Sequence, residues 1–288
     1  MIRFKVVETE ARKRLDTVVV GHIEGISRSF VRKLCDQNKI SVNGQLKEAG
    51  DKLHMGDKIA VDYDPTEVDK IPDIDLPTLY EDNNCLVINK PVGVLTHSKG
   101  AFNPEATVAT FALSKVKNLD GERAGIVHRL DRATSGVMII AKNPEALAWL
   151  QKQFSQRKVK KTYEAVVVGT PEPQEAIIDM PIERNPKKPQ TFRVGAHGKS
   201  ASTHYTVEKS GSKYSLLKLA PTTGRTHQLR VHLKKLGYPI VGDTLYGGEV
   251  ADRLYLHALS LEITLPDKER KVFDAPLPKG FMKLVRTT

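Results

Sequence analysis

Residues 129–132 set a carboxylate between two arginines, Arg129-Leu130-Asp131-Arg132, and apolar runs bound the segment on both sides. Ile126-Val127 precedes it and Val137-Met138-Ile139-Ile140-Ala141 follows it. β-Branched runs of this kind are predicted as strands, with Thr134-Ser135-Gly136 as the turn chemistry between them. Extended backbone alternates its side chains, so Arg129 and Asp131 would share one face while His128 and Leu130 share the other. A carboxylate and a guanidinium together beside a tight turn make either an ordinary ion pair, worth little at a surface, or a reactive site. The segment by itself leaves both readings open.

The 288 residues suit one large catalytic domain with a small module attached. No apolar run approaches the roughly 20 residues that span a bilayer. The start, Met1-Ile2-Arg3-Phe4-Lys5, has no apolar signal segment. Both features predict a cytoplasmic protein without a membrane partner. Cys35 and Cys85 are far apart, make no metal-like pair and are expected as small buried apolar residues in a reducing compartment. Lys and Arg number 45 against 34 acidic residues, a formal charge of +11. That excess favours a polyanionic partner, nucleic acid ahead of membrane, because no basic amphipathic anchor is present.

Punctuation along the chain predicts two modules. In residues 1–62, Arg14-Leu15-Asp16 begins a short helix, and Ser27 is a candidate N-cap for a second. Phe30, Val31, Leu34 and Cys35 recur at helical spacing as its apolar face, with Arg28, Arg32 and Lys33 outside it. Asn43-Gly44, between Ile40-Ser41-Val42 and Gln45-Leu46, is a strong hairpin signal, and Gly56-Asp57 a second turn. Residues 63–78 carry Pro65, Pro72 and Pro77 with Glu67, Asp69, Asp73 and Asp75, the composition of an acidic linker.

Residues 79–288 alternate strand-like and helical stretches. Leu86-Val87-Ile88 is a buried strand candidate. Asn143-Pro144-Glu145 opens a helix with Leu147, Leu150 and Phe154 on one face. Trp149, off that stripe, is expected to pack rather than to stack on a base. The helix would end in Arg157-Lys158-Val159-Lys160-Lys161, which leads into Tyr163 and the strand-like Ala165-Val166-Val167-Val168. Clustered cations followed by an aromatic suit the holding of phosphates and the stacking of bases. A second patch runs from Gly224 to Leu233, where Thr226 is expected to cap a helix with core residues Leu229, Leu233 and Leu236, ended by Gly237. His227 and His232 are five apart, not one helical turn, and no Cys pair completes a site, so no metal is expected. Phosphate-loop, dinucleotide and serine-elbow motifs are missing.

The second module resembles the RluA-type pseudouridine synthases. The resemblance is carried by Glu81-Asp82, Leu86 to Gly93, His128 to Gly136, Lys161-Thr162-Tyr163, Gly224 to Leu233, Gly237 to Asp243, Tyr246-Gly247 and Leu256-His257-Ala258, in family order. The first module resembles the small RNA-binding domain named after the fourth protein of the small ribosomal subunit. The matching residues are Arg14-Leu15-Asp16, Ser27-Arg28-Ser29, Arg32-Lys33, Ile40 to Gly44 and Gly56 to Ile59. The resemblance implies an α+β fold, a mixed, mostly antiparallel sheet with flanking helices, and no metal or organic cofactor. It implies an isomerase that converts uridine in RNA to pseudouridine, expected to act as a monomer on 23S-type ribosomal RNA, with transfer RNA the alternative substrate. A rival from another class is a non-catalytic ribosome-assembly factor on the same scaffold.

By motif position Asp131 would be the catalytic aspartate, Tyr163 the aromatic against the target base and Arg230 the partner of Asp131. Arg129 would occupy the space vacated by a flipped nucleotide. Arg28, Arg32, Lys33, Lys160, Lys161 and Arg225 would be RNA contacts. Thr96-His97 departs from the commoner family segment. The chemistry is consistent with these roles. A carboxylate is anionic at neutral pH, and a guanidinium within reach keeps it so when burial opposes it.

Overall fold

The computed structural model describes residues 1–23, 26, 28–63, 73–97, 105–119 and 123–286. The chain divides into two compact units, Met1–Ile74 with His97–Thr107, and Asp75–Thr96 with Val108–Thr288.

The first unit contains β1 (Ile2–Lys5), α1 (Leu15–His22), α2 (Arg28–Asp36), β2 (Ile40–Val42), β3 (Gln45–Leu46) and β4 (Lys58–Val61). Its sheet runs β1-β4-β2-β3, and every pairing is antiparallel. Leu15, Val18 and Val19 of α1 and Val31 and Leu34 of α2 share one apolar cluster with Ile40, Val42, Ile59 and Val61 of the sheet. Asn43 and Gly44 both take positive φ (53° and 78°), the two-residue hairpin turn that Asn-Gly favours. The edge strand β1 is not foreseen by sequence pattern, since four residues alternating half-exposed and exposed give no core signal. Ser27, the expected cap, lies outside the described residues, as does most of the expected linker. Its described end includes Leu76, which is buried.

Asp16 is 1% exposed. It accepts from Arg14 Nε and Nη2 at 3.1 and 2.9 Å and from Arg28 Nη2 at 3.1 Å. The Arg14 hydrogen bonds, reinforced by Arg28, outweigh burial and hold its carboxyl down to about 2. Arg28 therefore has an internal partner, while Arg32 and Lys33 are exposed.

The second unit contains β5 (Thr78–Glu81), β6 (Cys85–Lys90), α3 (Val108–Leu113), β7 (Ser135–Ala141), α4 (Pro144–Ser155), β8 (Lys160–Val168) and β9 (Glu175–Asp179). It continues with β10 (Ile182–Arg184), β11 (Phe192–Val194), β12 (Ser202–Ser210), β13 (Tyr214–Pro221), α5 (Gln228–Lys235), β14 (Leu256–Thr264), β15 (Arg270–Asp274) and α6 (Lys279–Arg286). Nine strands form one sheet in the order β5-β6-β7-β14-β8-β13-β12-β9, with β15 also on β14. Among the described strands only β7 and β14 pair in parallel, so the fold is α+β with a mixed, mostly antiparallel sheet. β10 and β11 form a separate two-stranded ribbon.

All seven residues of β7 are buried, which is why its sequence reads as an unbroken apolar run rather than an alternation. Ser135 and Gly136 belong to this strand, not to the turn expected there, and Ile126 makes only an isolated bridge to Ile140. Gly136 is required, because at φ 120° an added Cβ would overlap the Ala258 carbonyl and amide of the parallel neighbour. The segment from His128 to Thr134 is instead an irregular loop whose backbone is tied at Leu130, Asp131, Arg132 and Thr134. Thr96 Oγ1 donates to the Leu130 carbonyl at 2.8 Å and accepts from the Leu130 amide at 3.2 Å. Gly93 N donates to the Arg132 carbonyl at 2.9 Å, and Thr134 N to that of Asp131 at 3.0 Å. The Ile139 amide donates to His128 Nε2 at 3.1 Å, and the His128 ring stacks on Phe154.

Asn143 caps α4 as expected, its side chain accepting from the Ala146 amide with Pro144 at the first turn. Trp149 packs, donating Nε1–H to the Thr264 carbonyl at 2.8 Å. The basic cluster is split: Arg157 turns the chain at φ 56°, and Lys160 and Lys161 open β8 instead of ending the helix. Thr226 does not cap α5. The cap residue is His227, with left-handed backbone (φ 56°) and no capping hydrogen bond from its side chain.

Replacing Asp16 by Asn is expected to lower stability by about 2 kcal/mol at neutral pH. The native carboxyl is depressed, so the stability it contributes is present above the ordinary aspartate value near 3.8 and is lost as pH falls through about 2. Urea unfolding of both proteins across this range is the measurement. A difference that persisted unchanged at the acid end would show that charge is not what holds Arg14 and Arg28.

Candidate active site

The tied loop presents Asp131 to a cavity of about 110 Å³, which it shares with Arg129, Lys161, Tyr163, Arg225, His227 and Arg230. One water needs roughly 10–15 Å³ on this measure, so the space admits a small ring. Three elements build it. The loop before β7 supplies Arg129 and Asp131, the start of β8 supplies Lys161 and Tyr163, and the β13–α5 connection with the first turn of α5 supplies Arg225 to Arg230. The strict alternation expected of a strand is not kept: Arg129 is exposed and Leu130 buried, but His128 and Asp131 are both half-buried, and Leu130 lines the cavity beside Arg129 and Asp131.

Arg230 is the partner expected for Asp131, but its fork goes elsewhere. Nε and Nη2 each donate to Asp243 at 2.7 Å, a bidentate pair in which the Asp243 side chain is only 1% exposed. The remaining nitrogen, Nη1, lies 3.6 Å from Asp131 Oδ2. The Tyr246 ring lies against the guanidinium, 4.9 Å from centroid to carbon. In the sequence Asp243 and Tyr246 stand out only as parts of a motif. A buried acid thirteen residues from a buried arginine was the available signal, and it is legible only once both are known to be inside.

The electrostatics are set by burial against one anion. Desolvation, with the Asp131 charge added, pushes the Tyr163 hydroxyl well above the usual tyrosine range, so it stays protonated. Burial lowers Lys161, whose Nζ donates to the Thr223 carbonyl at 3.2 Å. Burial also depresses Lys90 to about 7, against the pull of Asp131. This lysine is fully buried and donates to the Pro91 and Val94 carbonyls at 2.9 Å and to that of Arg132 at 3.4 Å. It braces the Asp131 loop from behind. His128, pushed down to about 3 by desolvation, is a neutral acceptor for the Ile139 amide and not a proton shuttle.

The structure thus brings together six of the residues expected at the site: Asp131, Tyr163, Arg230, Arg129, Lys161 and Arg225. Lys160 is not among them. It is exposed and pairs with Glu262 at 3.3 Å. A wider groove of about 490 Å³ continues from the cavity past Arg129, Lys161, Tyr163 and Arg225 to Arg157 and Phe154. Two buried histidines outside the cavity have structural partners. His232 bridges Thr203 Oγ1 and the Met180 carbonyl, and His257 bridges Ser135 Oγ and the Ala275 carbonyl.

A carboxylate with a spare guanidinium nitrogen beside it, a protonated tyrosine in the same cavity and cations around it can hold a nucleotide and attack an electrophilic carbon in it. Residues 84–235 match the family described as RNA pseudouridylate synthase, and residues 13–59 match the S4 domain. "Ribosomal large subunit pseudouridine synthase D" of Borreliella burgdorferi is 36% identical over 301 residues, covering 98% of this chain and 92% of that protein. An "Uncharacterized RNA pseudouridine synthase" of Aquifex aeolicus is 38% identical, covering 86% and 80%. The solved structure "Human RNA Pseudouridylate Synthase Domain Containing 4" superposes with a TM-score of 0.58 at 30% identity, covering 72% of this chain and 90% of that one. With the sheet, the cavity and these matches in agreement, the chain belongs to the RNA pseudouridine synthase family and carries an S4 domain ahead of its catalytic region.

Proposed function

We propose that the enzyme isomerises uridine in large-subunit ribosomal RNA, with Asp131 as the nucleophile on a nucleotide flipped into the cavity. The observation that carries this reading is the position of Asp131 Oδ2, 3.6 Å from an Arg230 nitrogen whose guanidinium is otherwise committed to Asp243. Arg230 thus faces the carboxylate through one nitrogen without closing its fork on it. Tyr163 would stack on the target base, and Arg129, exposed at the rim, would fill the gap left in the RNA. Base extraction costs a few kcal/mol, and stacking on one aromatic returns roughly 1–3 kcal/mol of it. The choice of ribosomal RNA follows relatives named for the large ribosomal subunit that match nearly the whole chain. Action on that RNA would place the enzyme in the cytoplasm.

We assign residues 1–62 as the RNA-docking module and 79–288 as the catalytic domain. Arg32 and Lys33 are its phosphate contacts, with Arg28 shared between RNA and Asp16. Lys161, Arg225 and exposed Lys160 would contact RNA along the groove.

Asp131→Asn is expected to abolish tritium release from RNA labelled at uridine C5, the hydrogen displaced when that carbon joins ribose, while the melting temperature stays near wild type. Release at the wild-type rate would remove Asp131 from the mechanism. Arg230→Ala strands the buried Asp243 carboxylate and is expected to cost about 3–5 kcal/mol of stability as well as activity. An unchanged urea midpoint would contradict that account of the pair. Changing Arg32 and Lys33 together to Ala is expected to weaken RNA binding and flatten its log–log salt dependence by about one to two charges. The same slope as wild type would mean that α2 does not touch phosphates.

A further inference from the structure

Tyr246 is 3% exposed, and its hydroxyl has two polar neighbours. The Phe192 amide lies at 2.9 Å and His227 Nδ1 at 2.8 Å. The amide can only donate, so it takes a lone pair on the phenolic oxygen. The phenolic proton then needs an acceptor, and His227 Nδ1 supplies it. Reversing that bond would leave a buried hydroxyl proton unsatisfied. A neutral imidazole that accepts at Nδ1 carries its proton on Nε2. Burial holds the ring below the usual histidine value and Arg230 and Arg129 add to that, while Asp131 and Asp243 oppose it, so the neutral form is the relevant one.

The other face of the ring gives the same answer independently. His227 Nε2 lies 3.8 Å from Asp131 Oδ2. A lone pair at that position would face an anion, whereas an N–H faces it favourably. The contact exceeds hydrogen-bond length, so the N–H acts there through its dipole, and an approach of about 1 Å makes it a bond. The backbone supports a specific purpose: His227 holds φ 56°, a left-handed conformation uncommon in residues other than glycine. Edge-on contacts from Phe192 and Tyr246 hold the ring in place.

We propose that His227 is a positioning residue whose proton is fixed on Nε2 by the Tyr246 hydroxyl, so that its N–H and Arg230 Nη1 both engage Asp131 Oδ2 and leave Oδ1 to the substrate. The proposal rests on Asp131 reacting as described above. The β11 backbone is part of the device, because the Phe192 amide decides which way the tyrosine hydroxyl points.

The test is ¹⁵N NMR of the full chain labelled at histidine, with the His227 signals assigned by their loss in His227→Gln. The expected spectrum shows a protonated Nε2 and an accepting Nδ1. In Tyr246→Phe the Nδ1 signal is expected to move as the hydroxyl bond is lost, with kcat down about tenfold, equivalent to about 1.4 kcal/mol, and KM within about twofold. A wild-type ring protonated on Nδ1 overturns the proposal, and this reading does not depend on the Tyr246→Phe variant. A Tyr246→Phe enzyme with unchanged kcat and unchanged His227 signals overturns it as well. The tautomer is read without turnover, so failure here is separable from failure of Asp131 as nucleophile, which the tritium assay reports.

Discussion

Asp243 holds the guanidinium of Arg230 by two nitrogens at 2.7 Å, and the candidate site depends on that fork. A planar group pinned at two points has its third nitrogen in a determined place, here beside Asp131. Without Asp243, an arginine enclosed next to Asp131 would be free to close its fork on that carboxylate, the proposed nucleophile. The second carboxylate takes two of the three guanidinium nitrogens and so leaves only the third to face Asp131. Asp243 is in turn fixed by the turn that carries it. Its amide donates to the Ile240 carbonyl, and Tyr246 donates its amide to Asp243 Oδ1 at 3.3 Å. A buried ion pair of this kind adds little net stability over a well-packed apolar pair, so its value here lies in geometry.

Asp131 itself is held by backbone instead of charge. Asp131 stands on a loop whose carbonyls and amides are claimed by Thr96, Gly93, Lys90 and its own Thr134. Lys90 carries a cation into a fully buried place, and the cost of desolvating it appears as its fall to about 7. Three backbone carbonyls, and Asp131 nearby, offset that cost. The strand that follows is equally constrained, since Gly136 lets β14 approach where any side chain would overlap it.

Much of this was legible in the sequence wherever a signal is local. Asn43-Gly44, Asn143-Pro144 and Gly237 each report a turn or cap through their own conformational preferences, and each sits where that preference predicts. Motif resemblance assembled Asp131, Tyr163 and Arg230, and the cavity does contain all three. The misses share a cause. Thr134-Ser135-Gly136 looks like turn chemistry, yet a parallel neighbour needs a glycine inside a strand there. Thr226 looks like a cap, yet His227 takes that position because its ring is held by Phe192 and Tyr246. The fork from Arg230 to Asp243 joins residues thirteen apart through burial, which no spacing rule encodes. In each case a tertiary contact overrode a sound local preference.

A loop tied this closely has little freedom to adapt its shape to a substrate. On the proposed reading, the conformational adjustment on binding falls on the RNA, which must bend and unstack to bring one nucleotide to Asp131. Selection would then act on deformability as well as on sequence. Uridines in loops, bulges or weakly stacked junctions reach the cavity at lower cost than those inside a regular helix. The stiffness that aligns Asp131 for chemistry would thereby act as a sieve for the mechanical character of the RNA around the target.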